Sequence, residues 1–225
     1  MKILLVGNHT CGNRGDGAIL RGLIDSIQAA RNDVDIDVIS RYPTSSGYLL
    51  QQHIQQDKLF LHNNSSGKGL IGSVKRKVAN RLMPNIMMAH LGKGGPYKSF
   101  SVPPHLKAFT ESLAQYDAVI QVGGSFFVDL YGVTQFDHEL CALLAKKPLY
   151  LIGHSVGPFQ NARTNQLANF VFDRVDRLIL RESVSLDLMK RDGVTSSKVM
   201  PGVDTAFLVP VSYTHLRAHE TGRNL

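Results

Sequence analysis

Short apolar runs alternate along this chain with amphipathic helical stretches, and most of the runs open into a polar loop rich in glycine. That alternation limits the possible folds more than any other feature. Lys2 to Val6 is the first run; Ala18, Ile19, Leu20, Leu23, Ile24 and Ile27 then recur at helical spacing, and Val34, Ile36, Val38 and Ile39 form a second run. From Leu106 the pattern predicts a helix to Gln115, a strand over Ala118 to Val122, a helix from Phe136 to Ala145 and a strand over Pro148 to Ile152. It continues with a helix from Asn165 to Phe172, a strand over Arg177 to Leu180, a helix from Ser183 to Lys190 and a strand over Lys198 to Met200. Strands and helices of these lengths in alternation fold into an α/β, Rossmann-like, doubly wound parallel sheet, here spanning 1–210. Between Thr44 and Pro104 the pattern degrades, and we read 44–104 as an irregular basic insertion around one amphipathic segment, Leu70 to Leu82.

Charge narrows the function. The 225 residues carry 25 Lys and Arg against 18 Asp and Glu, a net charge of +7. The excess is local, because no acid lies between Lys58 and Thr110 while nine of the bases do. No zinc-finger, RNA-recognition or helix-turn-helix pattern interleaves with those bases, so a nucleic-acid partner is not expected. The stripe Leu70, Ile71, Val74, Val78 and Leu82, with Lys75, Arg76, Lys77 and Arg81 off it, reads first as core packing beneath a solvated basic face. Its second reading is a peripheral contact with the inner membrane surface. No apolar run approaches the roughly 18–20 residues that span a bilayer, and the first run is too short for a secretory signal. Cys11 and Cys141 are too few for a disulfide framework or a zinc site, so a cytoplasmic location and no metal are expected. The last residues, Val211 to Leu225, read as a translated sequencing adapter rather than as part of the fold.

In a sheet of this kind ligands bind outside the C-terminal ends of the strands, so the loops there carry the functional reading. The first is Gly7-Asn8-His9-Thr10-Cys11-Gly12-Asn13-Arg14-Gly15-Asp16; the others are Gly123-Gly124-Ser125-Phe126-Phe127, Gly153-His154-Ser155-Val156-Gly157-Pro158 and Arg181-Glu182-Ser183. The first is not a Walker A loop, since Asn13-Arg14 stand where Lys and Ser or Thr are needed, and its glycines are misspaced for a dinucleotide fingerprint. Gly153-His154-Ser155-Val156-Gly157 matches the nucleophile elbow of serine hydrolases, but the downstream histidine that fold requires is found only in the adapter-like tail. Glycine allows close backbone approach, and free N–H groups at a helix start favour an anion, so a phosphate or carboxylate site is expected. Arg181, at a strand end, is the candidate anion contact; Asn8, Asn13, Arg14 and Asp16 are candidates for lining the cleft. Bland readings stand beside these: tight turns for the glycines, a helix cap for Asp16, an ordinary hydrogen-bond partner for His9 and His154, and an ion pair for Arg181.

Taken in order, five strings resemble the polysaccharide pyruvyl transferase family. They are Gly7-Asn8 through Leu20, Gln121 through Asp129, Gly153 through Phe159, Leu180-Arg181-Glu182-Ser183, and Gly202-Val203-Asp204-Thr205-Ala206. The resemblance implies that this chain is the N-terminal half of a glycosyltransferase-B-like two-domain enzyme. It implies transfer of the enolpyruvyl group of phosphoenolpyruvate to a galactose-type sugar of an exopolysaccharide repeat of the colanic acid type, on a lipid-linked or polymeric saccharide acceptor. Phosphoenolpyruvate is then a co-substrate, and no cofactor is expected. The family's catalytic motif has no counterpart here, so the chain alone is expected to be inactive. The substrate-binding set it supports is Asn8, Gly12, Asn13, Arg14, Gly15 and Asp16 in the first loop, Gly123, Gly124 and Ser125 in the second, then His154, Ser155 and Arg181. A sugar-nucleotide glycosyltransferase of similar fold and a non-catalytic anion- or sugar-binding module remain the alternatives.

Overall fold

The computed structural model describes residues 1–65, 78 and 81–209. Its centre is a parallel sheet in the order β3-β2-β1-β4-β6-β7-β8, with β5 paired to β6. The strands are β1 (Lys2–Asn8), β2 (Asp35–Ser40), β3 (Gln55–Gln56), β4 (Ala118–Gln121), β5 (Gly124–Phe127), β6 (Leu149–Val156), β7 (Arg177–Leu180) and β8 (Val199–Pro201). Winding runs outward from β1 through β2 to β3, then restarts on the other side at β4. The chain therefore reverses direction between β1 and β4, where Val6 lies in register with Gln121.

Helices cover both faces because the strands are apolar on both. Leu4, Val6, Val119, Leu149, Leu151 and Leu178 pack into one cluster; Ile3, Leu5, Val38, Ile120 and Val122 pack into the other. The second face is closed by α1 (Arg14–Ala30), whose Ile19, Leu20, Leu23 and Ile24 fall on one helical stripe and are buried. Asn13 caps it by accepting a 3.0 Å bond from the Gly15 N–H, one of the donors a helix start leaves unsatisfied. The turn Thr205–Leu208 packs on the same face, with the Thr205 hydroxyl donating to Ile19 O at 2.7 Å. The first face is closed by α5 (Pro104–Ser112), α6 (Asp137–Leu144), α7 (Ala162–Phe172) and α8 (Ser183–Arg191), which bury Leu106, Leu140, Leu167 and Met189.

The sequence reading departs from the structure in two places. The stretch 44–104 is not an irregular insertion where it is described. It holds α2 (Pro43–Leu50), edge strand β3, α3 (Lys58–Ser65) and a helix α4 over 81–88. Met83, Met87 and Met88 enter the first core cluster beside Leu106 and Leu113, so this stretch is part of the domain's packing. Most of the segment Leu70 to Leu82 falls at 66–77 and 79–80, outside the described residues, as do 210–225 with the adapter-like tail. The second departure concerns Gly123–Phe127 and Gly153–Val156, read as loops. Most of both is strand: β6 runs on to Val156, and β5 pairs alongside it, Gly124 with His154 and Phe127 with Val156. Gly123 makes this possible, because a Cβ there would stand 2.5 Å from Gly153 O and 2.8 Å from Ile152 O.

Candidate functional site

Arg181 follows β7 at the C-terminal edge of the sheet, and its guanidinium is held from three directions. Nε donates to Ser155 Oγ at 2.7 Å, Nη1 to Asp204 Oδ2 at 2.6 Å and Nη2 to Ser125 Oγ at 2.9 Å. These partners come from β6, from the cap of the turn Thr205–Leu208 and from β5, so three elements fix one cation. A guanidinium carries five N–H donors; two remain for a ligand.

A cavity of about 350 Å³ opens in front of it, lined by His9, Asn13, Asp16, Arg41, Ser125, Phe126 and Tyr131 as well as Arg181. His9 and Asp16 face each other across the β1–α1 loop, with Nδ1 4.0 Å from Oδ2. Burial, then the nearby Arg41 charge, lowers the His9 pKa below its ordinary value against the opposing pull of Asp16. The ring is therefore neutral at pH 7 and has one nitrogen free to accept a proton. Burial raises the Asp16 pKa, with His9 and Arg181 acting against it. Arg41 enters from the end of β2, between the rings of Phe60 and Phe126 at 5.3 and 5.5 Å, and donates to Gln135 Oε1 at 2.6 Å. Two guanidinium groups thus face one cavity, in the presence of Asp16 and Asp204.

Of the residues predicted from the loops, Asn13, Asp16, Gly124, Ser125 and Arg181 line this cavity, and Ser155 stands behind Arg181 as a positioning partner. Ser155 sits within β6 and not on a strand-to-helix turn, so the hydrolase-like string forms no nucleophile elbow. Others lie elsewhere. Asn8 is 2% exposed beneath the loop, where Oδ1 accepts from the Ser46 hydroxyl at 2.9 Å. His154 is fully buried against Phe127, its Nε2 3.4 Å from Gln121 O, and burial lowers its pKa to about 4. Both are structural because their strands continue past the point where sequence periodicity stops. Gly123 packs on β6; Gly12 lines a neighbouring groove with Tyr42 and Tyr48; Arg14 and Gly15 are exposed and do not line the cavity. Phe126 belongs to the second of the predicted loops, whereas Arg41 and Tyr131 lie outside all of them; Arg41 carries only the weak signal of a cation at a strand's C-terminal end.

Residues 13–220 match the family model for polysaccharide pyruvyl transferase. The amylovoran biosynthesis protein AmsJ of Erwinia amylovora is 67% identical over 209 residues, which is 93% of this chain and 49% of that protein. The chain thus spans about half the length of the curated relative it matches. Among solved structures, UDP-GlcNAc 2-epimerase from Neisseria meningitidis, bound to UDP-GlcNAc, superposes with a TM-score of 0.52 at 15% identity, over 99% of this chain and 52% of that one. The UDP complex of MnaA from S. aureus does so at 0.53 and 13% identity, over 95% of this chain and 47% of that one. At such identities the likeness establishes fold alone, an α/β Rossmann-like sheet corresponding to about half of a chain of the glycosyltransferase-B type.

Proposed function

The chain belongs to the polysaccharide pyruvyl transferase family, and from that premise we propose that the Arg181 cleft binds phosphoenolpyruvate for ketal formation on an exopolysaccharide sugar. The acceptor is a galactose-type residue of a repeat unit, lipid-linked or polymeric, of the colanic acid type or one related to it. In the reaction the central carbon of phosphoenolpyruvate forms two C–O bonds to two hydroxyls of one sugar. The C–O bond to phosphate breaks, one hydroxyl proton ends on the methylene to make a methyl group, and the other leaves with inorganic phosphate.

The observation that carries this reading is the three-way clamp on Arg181. A donor with a phosphate and a carboxylate needs fixed cations and N–H groups aimed at one place, and a cation that spends nothing on ordering is the most effective kind. Arg181 is such a cation, and Arg41, which lines the same cavity, supplies a second charge. Asn13 adds a polar side chain at the mouth. His9, uncharged at neutral pH, is placed to accept a hydroxyl proton. The relative's unmatched half is where we place the rest of the proton-transfer machinery, so this chain binds the donor and does not turn it over.

Among the described residues no helix is long and apolar enough to cross a membrane. A surface contact through 70–82 would bring the protein to a lipid-linked acceptor.

Titration of phosphoenolpyruvate into the chain by calorimetry tests the reading. Saturable binding that inorganic phosphate displaces, and that Arg181→Met removes, is expected. Absence of phosphoenolpyruvate binding alongside saturable binding of a UDP-sugar would overturn it in favour of glycosyl transfer.

A further inference from the structure

A second cavity lies beside the first, and neither the clamp on Arg181 nor the anion reading uses it. It occupies about 270 Å³ at the reversal point between β1 and β4, where Gly7 is the last residue but one of β1 and Gln121 ends β4. Gly7 has φ +81° and would place a Cβ within 2.6 Å of the Gln121 amide, so the glycine is what allows that amide its position. Crevices at such reversal points are the usual ligand sites of open α/β sheets.

The lining is polar, buried and incompletely bonded. Gln121 is 3% exposed and Asp137 2% exposed, yet Gln121 Oε1 and Asp137 Oδ1 have no hydrogen-bond partner. The other Asp137 oxygen accepts from Asn63 Nδ2 at 3.0 Å. His138 Nε2 lies 3.4 Å from Asp57 Oδ1, and both side chains are more than nine-tenths buried. Buried polar atoms are rarely left unpaired, so two unpartnered polar atoms on residues that line one cavity point to a ligand with hydrogen-bonding groups of its own.

The chemistry of the wall selects the ligand. Asp57 is paired with His138, and burial raises the Asp137 pKa to about 7, so the wall apart from Arg41 carries little net charge with which to hold an ion of its own. Among the described residues no group of three or more His, Cys, Asp or Glu side chains is arranged to hold a metal ion. Acceptors and amide donors are interspersed, with Asn63 and Asn64 supplying the latter, which is the pattern that matches hydroxyls, each at once donor and acceptor. A cavity of about 270 Å³ has room for one pyranose ring. Arg41 lines this cavity and the Arg181 cleft alike, so an occupant here and a ligand there would share one side chain.

We propose that the cavity between Gln121, Asp137 and the Asp57–His138 pair is a subsite for a single neutral sugar residue, set against the anion cleft with Arg41 as the shared wall. The inference rests on the reading of the chain as a saccharide-modifying transferase, and names where the sugar sits.

The test is saturation-transfer NMR with methyl β-galactoside on the unaltered chain, on Asp137→Ala and on Asn64→Trp, with phosphoenolpyruvate titrated into all three in parallel. Asn64 is exposed on α3 at the cavity's edge, so its replacement obstructs the mouth without disturbing the core and stands in should Asp137→Ala fail to fold. The expected result is sugar binding to the unaltered chain, weakened at least fivefold in Asn64→Trp and in folded Asp137→Ala, with phosphoenolpyruvate affinity held within twofold. Sugar binding that neither variant moves, or no sugar binding to any of the three, would overturn the subsite. Failure of phosphoenolpyruvate to bind, with the sugar result as expected, would instead strike the donor reading and leave the subsite standing.

Discussion

Arg181 Nη1 and Asp204 Oδ2 meet at 2.6 Å, joining the residue that follows β7 to the cap of the turn that packs on α1. Asp204 also accepts from the Ala206 N–H through its other oxygen, at 2.9 Å. The carboxylate that orients the site's cation therefore also closes the turn, and Thr205 in that turn bonds to Ile19 in α1. The position of the guanidinium is thereby fixed relative to α1, at whose start Asn13 and Asp16 line the same cleft.

Replacing Arg181 by Lys keeps the charge and loses the clamp, since an ammonium is a point charge that cannot reach Ser125, Ser155 and Asp204 together. The expected result is about a tenfold weaker affinity for phosphoenolpyruvate, or ~1.4 kcal/mol, by calorimetry. Arg181→Met further leaves Asp204 without its cation, and should cost about 1–3 kcal/mol of stability in urea denaturation. Equal donor affinity in the Lys variant and the unaltered chain would remove the clamp from the binding argument.

Most strands and the site edge were legible because both follow from local pattern. Alternating apolar runs located β1, β2, β4, β6, β7 and β8, and the edge rule then pointed to Arg181, Asn13, Asp16 and Ser125 together. What was missed needed tertiary information. Gly123-Gly124 reads as a turn from sequence; only the approach of Gly153 O shows it as the point where one strand ends and β5 takes up pairing with the extended β6. Met83, Met87 and Met88 sit in a stretch whose many bases, Asn and Gly mask its helical period, and their burial is set by Leu106 and Leu113 across the interface. Arg41 and Asp57 carry no motif: they matter because β2 and β3 deliver them to the same end of the sheet as β1 and β4.

Gly123→Ala tests the strand switch. Its Cβ would meet two backbone carbonyl oxygens at 2.5 and 2.8 Å, and backbone yields less than side chain. A loss of at least about 1–3 kcal/mol is expected in urea denaturation, with donor binding also weakened as β5 carries Ser125 away from Arg181. Gly12→Ala is the contrast, because its nearest neighbour is the Thr10 hydroxyl at 3.2 Å and it does not line the Arg181 cavity. Stability and donor binding should stay nearly unchanged there, and a loss of binding would restore the first-loop glycine to the site.

Glu139 gives the stability of the domain a pH dependence. It is fully buried with neither carboxyl oxygen partnered, and burial raises its pKa to about 7 from 4.5. With the folded value above the unfolded one, the contribution is fully present below about pH 4.5 and is lost as pH rises through about 7. Glu139→Gln removes the titration while keeping the shape. At about 1.4 kcal/mol per unit of displacement, the variant should be more stable than the unaltered chain by ~2 kcal/mol or more at pH 8. The two should converge near pH 4. Parallel stability curves over that range would show that Glu139 keeps an ordinary carboxyl pKa in the fold.

Asn13 holds two roles that one pair of substitutions separates. Its side-chain oxygen caps α1, and the same side chain lines the cleft in front of Arg181. Asn13→Ala loses the cap and should cost about 1 kcal/mol of stability, within the range for such caps. Asn13→Asp keeps the cap and adds a negative charge where the helix start favours one, so its melting temperature should equal or exceed that of the unaltered chain. That charge faces the place reserved for phosphate and carboxylate, and phosphoenolpyruvate affinity should fall several-fold even as stability holds. A more stable Asp variant with undiminished donor affinity would mean the anion sits away from the α1 start, and would shift the donor toward Arg41.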